Sequence, residues 1–562
     1  MKRTKPIDTK KRYEPILPGS GDWPVVQLSK NQKKFIEEVV SESIHKIKKL
    51  KPRKSSLVEE LEVTLYKERL RISQNRWKVD PDDEYAFWDN IKLKLVALTT
   101  PNGNHVTEDD ILQEIVERYA HEVAGKFKRT SYQLTRSLVT FGFARLLNAA
   151  RIKKFGSFWS KELTLQDKIH ITGHEELLRK LALKGTIVIT PTHFSNLDSV
   201  LMGWVIHTLG LPPFVYGANL NLFNIELFAY FMNSLGAFKI DQRKKNLLYL
   251  ETLKAYSTMA LLKGCHSFFF PGGTRSKSGK IEKKLKLNLL GTAIDAQRIY
   301  FEQNPEEESN KIFIVPVVLN YNFVLEAPVL INEYLKQKGQ ERYYVEDDEF
   351  STSYKIIKFL FKFFAQGSDI SLSIGRPLDL FGHYVDENGI SYDRDGRKIR
   401  TRDYFISNGK LKPDPQRDLE YTRRLSECLV KEFHKINRVF ASHLVAFTAF
   451  KMLQKKYPKF DLFNILRLSE EEIVLDYQEF RTSFSKLRNQ VFKLYEQEKI
   501  DMANHLSDDL DQVIDFGISN VGMYHSRRPL LKDKQGNIIT QDLNTLFYYH
   551  NRMDGYGLEK YI

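Results

Sequence analysis

Cysteine is nearly absent from this chain, with Cys265 and Cys428 the only two in 562 residues. Two thiols cannot staple a fold of this size or complete a multi-cysteine zinc site, and they fit a reducing compartment. Long uncharged runs are missing too. The nearest is Val200 to Gly217, which Pro212 and Pro213 cut after roughly a dozen residues, short of the ~20 that a spanning helix needs. No transmembrane helix is expected. The N-terminus, MKRTKPIDTKKRY, has no apolar stretch behind its basic residues and turns acidic early at Asp8 and Glu14, so a signal or transit peptide is not expected. No internal repeat and no low-complexity tract stands out.

Aromatic and basic residues, by contrast, are plentiful. With 37 Phe, 27 Tyr and a hydrophobic fraction of 42%, the chain has far too much apolar material for disorder. Its length predicts two or more domains, or one core with large helical additions. The formal charge of +15 favours an anionic partner: nucleic acid, an acidic membrane, a phosphorylated metabolite or an acidic carrier protein. Residues 1–60 hold 15 Lys and Arg against 8 Asp and Glu, so much of the surplus lies there. Zinc-finger spacing and RNP-like aromatic strands are lacking, and no nucleic acid partner is expected.

Periodicity divides the chain into a basic arm over 1–30, a helical N-terminal domain over 31–160, an α/β domain over 161–385 and a mainly helical region over 386–562. A helix is predicted near Gln32 to Leu50. In EDDILQEIVERYAHEVAGKF, Ile111, Leu112, Ile115, Val116, Tyr119 and Val123 recur at helical spacing. Four buried strands are predicted at Thr186–Thr190, Ser267–Phe270, Ile312–Leu319 and Ile370–Ile374. Strands separated by helix-length segments indicate α/β layers. Helical text returns from Asp418, with a short hairpin expected around Lys534 to Asn537. The runs Glu346–Glu349 and Asp386–Asp403 read as exposed loops. In YKIIKFLFKFFAQ, Lys355, Lys358 and Lys362 share a sector of roughly 60 degrees and apolar residues cover the rest, the pattern of a helix lying in an anionic bilayer surface or of a core helix with one wet edge.

The sharpest local feature is TPTHFSNLDSV, directly after the TIVIT strand. A histidine at the strand end and a carboxylate five positions on, in the first turn of a helix, can meet across the turn. The carboxylate fixes the tautomer and leaves the other imidazole nitrogen free as a general base. Equally, Asp198 could simply cap the helix while His193 is a turn residue. The second feature is FFFPGGTRSKSGK, where Gly272, Gly273, Thr274, Arg275, Ser276 and Lys277 offer backbone, hydroxyl and cationic donors to a phosphate; a solvated basic loop reads the same way. Walker spacing is absent. GANLN holds Asn219 and Asn221 in what reads as a turn before a helix, and GAFKIDQRKK ends an apolar segment in a basic cluster containing Arg243. Cys265 reads as a small buried residue rather than a nucleophile.

In this order the blocks HFSNLD, GANLN with GAFKI, FPGGTRSKSGK and IVPVVLNYN resemble the four motifs of the glycerophosphate acyltransferase superfamily, in particular its glycerol-3-phosphate and dihydroxyacetone-phosphate branch. The ISLSIGRPLDL, INRVFASHLVAFTAF and FYYHNRM segments are similar to later parts of such enzymes. The resemblance implies an α/β fold with a mixed sheet flanked by helices, with helical N-terminal and C-terminal additions, the acyltransferase domain spanning 161–385. It implies acyl transfer from acyl-CoA or acyl-ACP to glycerol 3-phosphate, with lysophosphatidate or dihydroxyacetone phosphate as alternative acceptors; a non-enzymatic anionic-lipid or nucleic-acid binding protein is the remote alternative. His193 and Asp198 fall on the catalytic positions. Arg275, Ser276, Lys277 and Arg243 are then expected at the acceptor phosphate, and backbone N–H groups near Gly272 and at Val315, Pro316 and Val317 at the oxyanion. No metal or redox cofactor is expected. The expected partners are the thioester donor, a phosphorylated glycerol, an anionic membrane surface and an acyl carrier protein, with the chain peripheral on the cytoplasmic face. Two positions depart from the pattern. Relatives usually carry Glu where Gly272 stands, and their usual Arg position falls on Gln242, with Arg243 one place later.

Overall fold

The computed structural model describes residues 13–98, 106–125, 127–128, 132, 169–220, 236–339 and 370–562. Asn221, the acidic run at Glu346–Glu349 and the amphipathic segment at 354–366 lie outside them.

The core of the α/β part is a seven-stranded sheet: β1 (Ile169–Gly173), β2 (Gly185–Pro191), β3 (Val215–Asn219), β4 (Ala237–Ile240), β5 (Ser267–Phe268), β6 (Lys311–Tyr321) and β7 (Ile370–Ile374), in the order β1-β7-β6-β2-β5-β3-β4. β6 pairs antiparallel with β7, and every other neighbouring pair in the sheet is parallel. The sheet is therefore mixed, as expected. β2 and β6 are buried on both faces, which explains their unbroken apolar runs. A proline inside an interior strand needs special placement. Pro316 sits just beyond the β7 ladder, where its carbonyl accepts the Gly375 N–H at 2.8 Å and its Cγ would lie 2.7 Å from any Cβ at Gly375.

Three of these strands escape the sequence reading. Gly217–Asn219 of GANLN and Ala237–Ile240 of GAFKI lie in the parallel strands β3 and β4 rather than in a turn and a helix end. Both are short and hold a single β-branched residue each beside Gly, Asn, Ala or Lys, so local propensity hides what sheet pairing dictates. β1 is equally short. The strands predicted at Thr186, Ser267, Ile312 and Ile370 are all present, though β5 ends at Phe268. The Asp386–Asp403 segment includes paired two-residue strands rather than a plain loop. The hairpin near Lys534 forms, pairing Leu531–Lys532 with Ile538–Ile539.

Five helices precede the sheet: α1 (Pro24–Lys30), α2 (Gln32–Leu50), α3 (Lys54–Gln74), α4 (Glu84–Leu98) and α5 (Glu108–Val123). α5 starts at a capping box between Thr107 and Asp110, and buries all six residues read from its periodicity. This bundle shares one apolar core with Val215, Phe238 and the sheet-flanking helix at Leu247–Leu262, so it packs directly on the β3–β4 edge. The C-terminal region contributes helices at Pro415–Ile436, Ala441–Lys456, Tyr477–Glu496, Leu510–Asn520 and Leu543–His550. Ala441–Lys456 is at their centre and continues the core of the sheet. Arg438–Val439 forms a short strand, which breaks the continuous helix suggested by the text before it. No described helix is long and apolar enough to cross a membrane.

Candidate active site

The first block occupies the turn from the C-terminal end of β2 to the helix at Asp198–Thr208. Asp198 is wholly buried, and its two oxygens are fully used. Oδ2 accepts His193 Nδ1–H at 2.8 Å, Phe194 N–H at 2.7 Å and Ser195 N–H at 3.0 Å, while Oδ1 accepts the Tyr321 hydroxyl. A carboxylate serving four donors holds the imidazole in the tautomer with its proton on Nδ1, so Nε2 carries the lone pair. Nε2 makes no hydrogen bond to a described residue, and the His193 side chain keeps 16% exposure. The ring stacks on Phe270, with centroids 4.0 Å apart at 17°. Sequence reasoning placed His193 and Asp198 together but missed Tyr321 and Phe270, although both stand inside the quoted motifs. Burial and the Asp198 carboxylate push the Tyr321 hydroxyl well above its usual range, so it remains a donor.

The third block folds against this turn. Ser276 N–H donates to the His193 carbonyl at 2.8 Å, and Ser276 Oγ to the Lys280 carbonyl at 2.7 Å. Gly273 has φ of +80°, a conformation that favours glycine, and its N–H is taken by Phe270. The N–H groups of Gly272, Thr274 and Arg275 make no hydrogen bond to a described residue. Arg275 sits beside the buried Glu326 carboxylate at 3.4 Å, and Lys277 pairs with Glu333 at 3.0 Å. Glu326 also accepts Asn196 N–H at 2.8 Å and Ser195 Oγ–H at 3.1 Å, which ties the two blocks together.

The remaining expected residues fall into different positions. Val315, Pro316 and Val317 are buried strand residues paired with Ile189, Thr190 and Pro191, and Pro316 has no N–H to give. Their service is structural: the Val317 carbonyl accepts Thr192 N–H at 3.0 Å and so holds the chain just before His193. Asn219 ends β3. Arg243 turns away from the third block. Its guanidinium bonds Asp241 and Asp80, donates to the Asn75 carbonyl at 2.7 Å and stacks over Trp77 at 3.8 Å. Gln242 is the residue that faces the third block, donating from Nε2 to the Gly273 carbonyl at 3.1 Å. A one-residue shift that brings Arg243 to the acceptor phosphate is therefore not what the turn adopts; consecutive side chains there point to opposite sides.

Arg243 instead opens a buried ionic network under the helical bundle. Arg71 bonds Glu68, Asp80 and Glu84, Lys244 bonds Glu122, and Asn246 donates to Glu68 at 2.8 Å. Burial opposes the charge on Arg243, but Asp241 and Asp80 outweigh it and raise its pKa.

The C-terminal FYYHNRM segment closes the other side. Arg552, 5% exposed, donates to the Leu319 carbonyl at 2.6 Å and to Asn320, and its guanidinium lies 3.9 Å over Phe194. Asn551 donates to the Ser278 carbonyl at 2.8 Å, and Lys280 pairs with Asp554 at 2.7 Å. Cys265 is buried, its thiol pushed up to about 12, so it has no thiolate to offer. Its neighbour His266 is held neutral by burial, its pKa lowered to about 4, and accepts Ile187 N–H. A cavity of about 1050 Å³ between α2 and α5 contains none of the motif residues. Among the described residues no cluster of three or more His, Cys, Asp or Glu is arranged to hold a metal.

The family model described as Acyltransferase matches residues 168–320, which run from just before β1 almost to the end of β6 and contain the first three blocks and most of the fourth. Residues 168–320 thus carry an acyltransferase domain. The chain also aligns with curated relatives. It is 29% identical over 232 residues to a glycerol-3-phosphate acyltransferase of Aeromonas hydrophila, covering 41% of this chain and 25% of the relative. The enzyme of that name from Actinobacillus succinogenes is 30% identical over 233 residues, again 41% and 25%. A longer match, to that of Pseudoalteromonas translucida, is 26% identical over 317 residues, 56% of this chain and 33% of the relative. This chain thus spans about a quarter to a third of the length of these relatives.

Proposed function

We propose that this acyltransferase domain moves a fatty acyl group from a thioester, acyl-CoA or acyl-ACP, to the hydroxyl of glycerol 3-phosphate. The observation that carries the reading is the His193–Asp198 pair, with Nδ1 held and Nε2 unbonded at the mouth of the turn. His193 Nε2 takes the proton of the acceptor hydroxyl as its oxygen attacks the thioester carbonyl carbon, and Asp198 stabilises the imidazolium. The tetrahedral oxyanion is met by N–H donors of the third block, with those of Gly272, Thr274 and Arg275 unengaged. Collapse breaks the C–S bond, and the departing thiolate takes the proton back from His193. Thioester, alcohol and imidazole balance this reaction, so no metal or redox step is invoked. Arg275 and Lys277 serve the acceptor phosphate, each with one carboxylate neighbour that the phosphate would compete with.

The surplus of positive charge supports an anionic membrane surface and an acidic acyl carrier as partners, at ~1 kcal/mol per basic residue close to anionic lipid. The names of the relatives favour glycerol 3-phosphate over lysophosphatidate or dihydroxyacetone phosphate. The test is thiol release from palmitoyl-CoA with these three acceptors side by side, for wild type and His193→Ala. Turnover with glycerol 3-phosphate and a loss of about 100-fold or more in the variant are expected. Wild type inactive with all three, or an alanine variant at full rate, would sink the proposal.

A further inference from the structure

Gly272 lacks a side chain, yet the space beside it is full. A Cβ built there would lie 2.7 Å from Glu282 Oε1 and 3.1 Å from Glu282 Cγ, so a carboxyl from ten residues downstream stands where a side chain at 272 would begin. Lys286 does the same at Gly273, with its Nζ 2.7 Å from the corresponding point. The segment after the third block thus folds back over its glycine pair and covers it with one acid and one base.

The acid is the unusual member. Both Glu282 oxygens are shut off from solvent, and neither has a partner in hydrogen-bonding geometry. Burial and Asp198 oppose its charge, while the backbone N–H groups of Glu282 itself and of His193 and the Arg552 guanidinium favour it without meeting full hydrogen-bond geometry. An unpartnered buried carboxyl is costly. Polar groups left unsatisfied in this way belong preferentially to functional sites, where a local cost is kept for the sake of geometry. Here the site is the one already described, since the carboxyl touches the glycine turn and lies within electrostatic reach of His193 and Asp198.

We propose that Glu282 is a positioning residue of the acyltransferase site, its carboxyl seated over Gly272 to hold the His193 turn and the glycine pair in register. It does from position 282 what a carboxylate at position 272 would otherwise do. The kinetic part of this inference rests on the acyl-transfer reading; the packing part does not.

The experiment is a double-variant cycle of Gly272→Glu, Glu282→Gly and the two together, read by melting temperature and by kcat and KM, with Glu282→Gln as the isosteric control. Gly272→Glu alone sets two carboxyls in one space and lowers both melting temperature and kcat, the latter by about 10- to 100-fold. Glu282→Gly alone lowers kcat by a similar factor. Together they restore both quantities to near wild type, a non-additivity that only a shared site produces. Glu282→Gln keeps KM and changes the dependence of kcat on pH between 6 and 8. A double variant that shows the sum of its single losses overturns the proposal, as does a Gln variant with wild-type kcat and pH profile. If wild type releases no thiol, acyl transfer fails as the activity, and the melting cycle still decides whether 272 and 282 share one place.

Discussion

Replacing Arg243 by alanine separates two roles that sequence alone left mixed. In the folded protein its guanidinium is 7% exposed and its partners Asp80 and Asp241 are 2% and 6% exposed. Removing one member of such a cluster strands buried charge, at ~3–5 kcal/mol. Asp80 would keep Trp77 N–H at 2.7 Å and Arg71 at 3.3 Å, which argues for the lower end of that range, while loss of the stack on Trp77 adds about 1 kcal/mol. A loss of ~3–4 kcal/mol corresponds to about 6–15 °C in the melting temperature of a domain of 150–250 residues. Arg243→Lys keeps the charge but not the forked geometry, and falls between. The assay is a thermal melt beside steady-state kinetics with varied glycerol 3-phosphate. An alanine variant that melts with wild type but raises KM for the acceptor more than about tenfold would refute the structural assignment.

Two further outcomes test the site. Asp198→Asn preserves shape, and lowers kcat by about 10²–10⁴-fold while the fold survives; Asp198→Ala leaves Phe194 N–H, Ser195 N–H and the Tyr321 hydroxyl without an acceptor, at ~1–3 kcal/mol each, and melts lower. Equal melting temperatures for the two would contradict that account. Burial lifts Glu282 from 4.5 to about 7. The folded state then binds this proton more tightly than the unfolded chain, so the associated stability is full below pH 4.5 and is lost as pH rises through 7, ~3 kcal/mol in all. Glu282→Gln therefore gains on wild type between pH 5 and 8, and a melting difference that stays flat over that range would count against the buried carboxyl.

The motifs carried His193 and Asp198 because the pair is local: a strand end, a turn and a first helical turn bring them together whatever the rest of the chain does. Ser276 differs: its N–H meets the His193 carbonyl only because the parallel pairing of β2 and β5 brings the two loops side by side. Arg243 is not legible in the sequence because Gln242 and Arg243 leave the Asp241–Lys244 turn toward opposite sides, and only the neighbours on each side decide which faces the site. Glu282 gave no signal at all, being one acid in the basic text KIEKKLK. Arg552 stands in the FYYHNRM motif, but its place over Phe194 is set by the fold alone.

By itself, then, the sequence determined the His193–Asp198 pair, the order of the predicted strands along the chain and the helical character of both flanks, all properties of short windows in which periodicity and turn chemistry suffice. Tertiary structure decided the rest: that Gly217–Asn219 and Ala237–Ile240 belong to paired strands at one end of the sheet, that Arg243 joins the ionic network under the helical bundle, and that the C-terminal segment braces the third block. These depend on contacts between residues tens to hundreds of positions apart, and no local preference encodes which distant surface a side chain will meet.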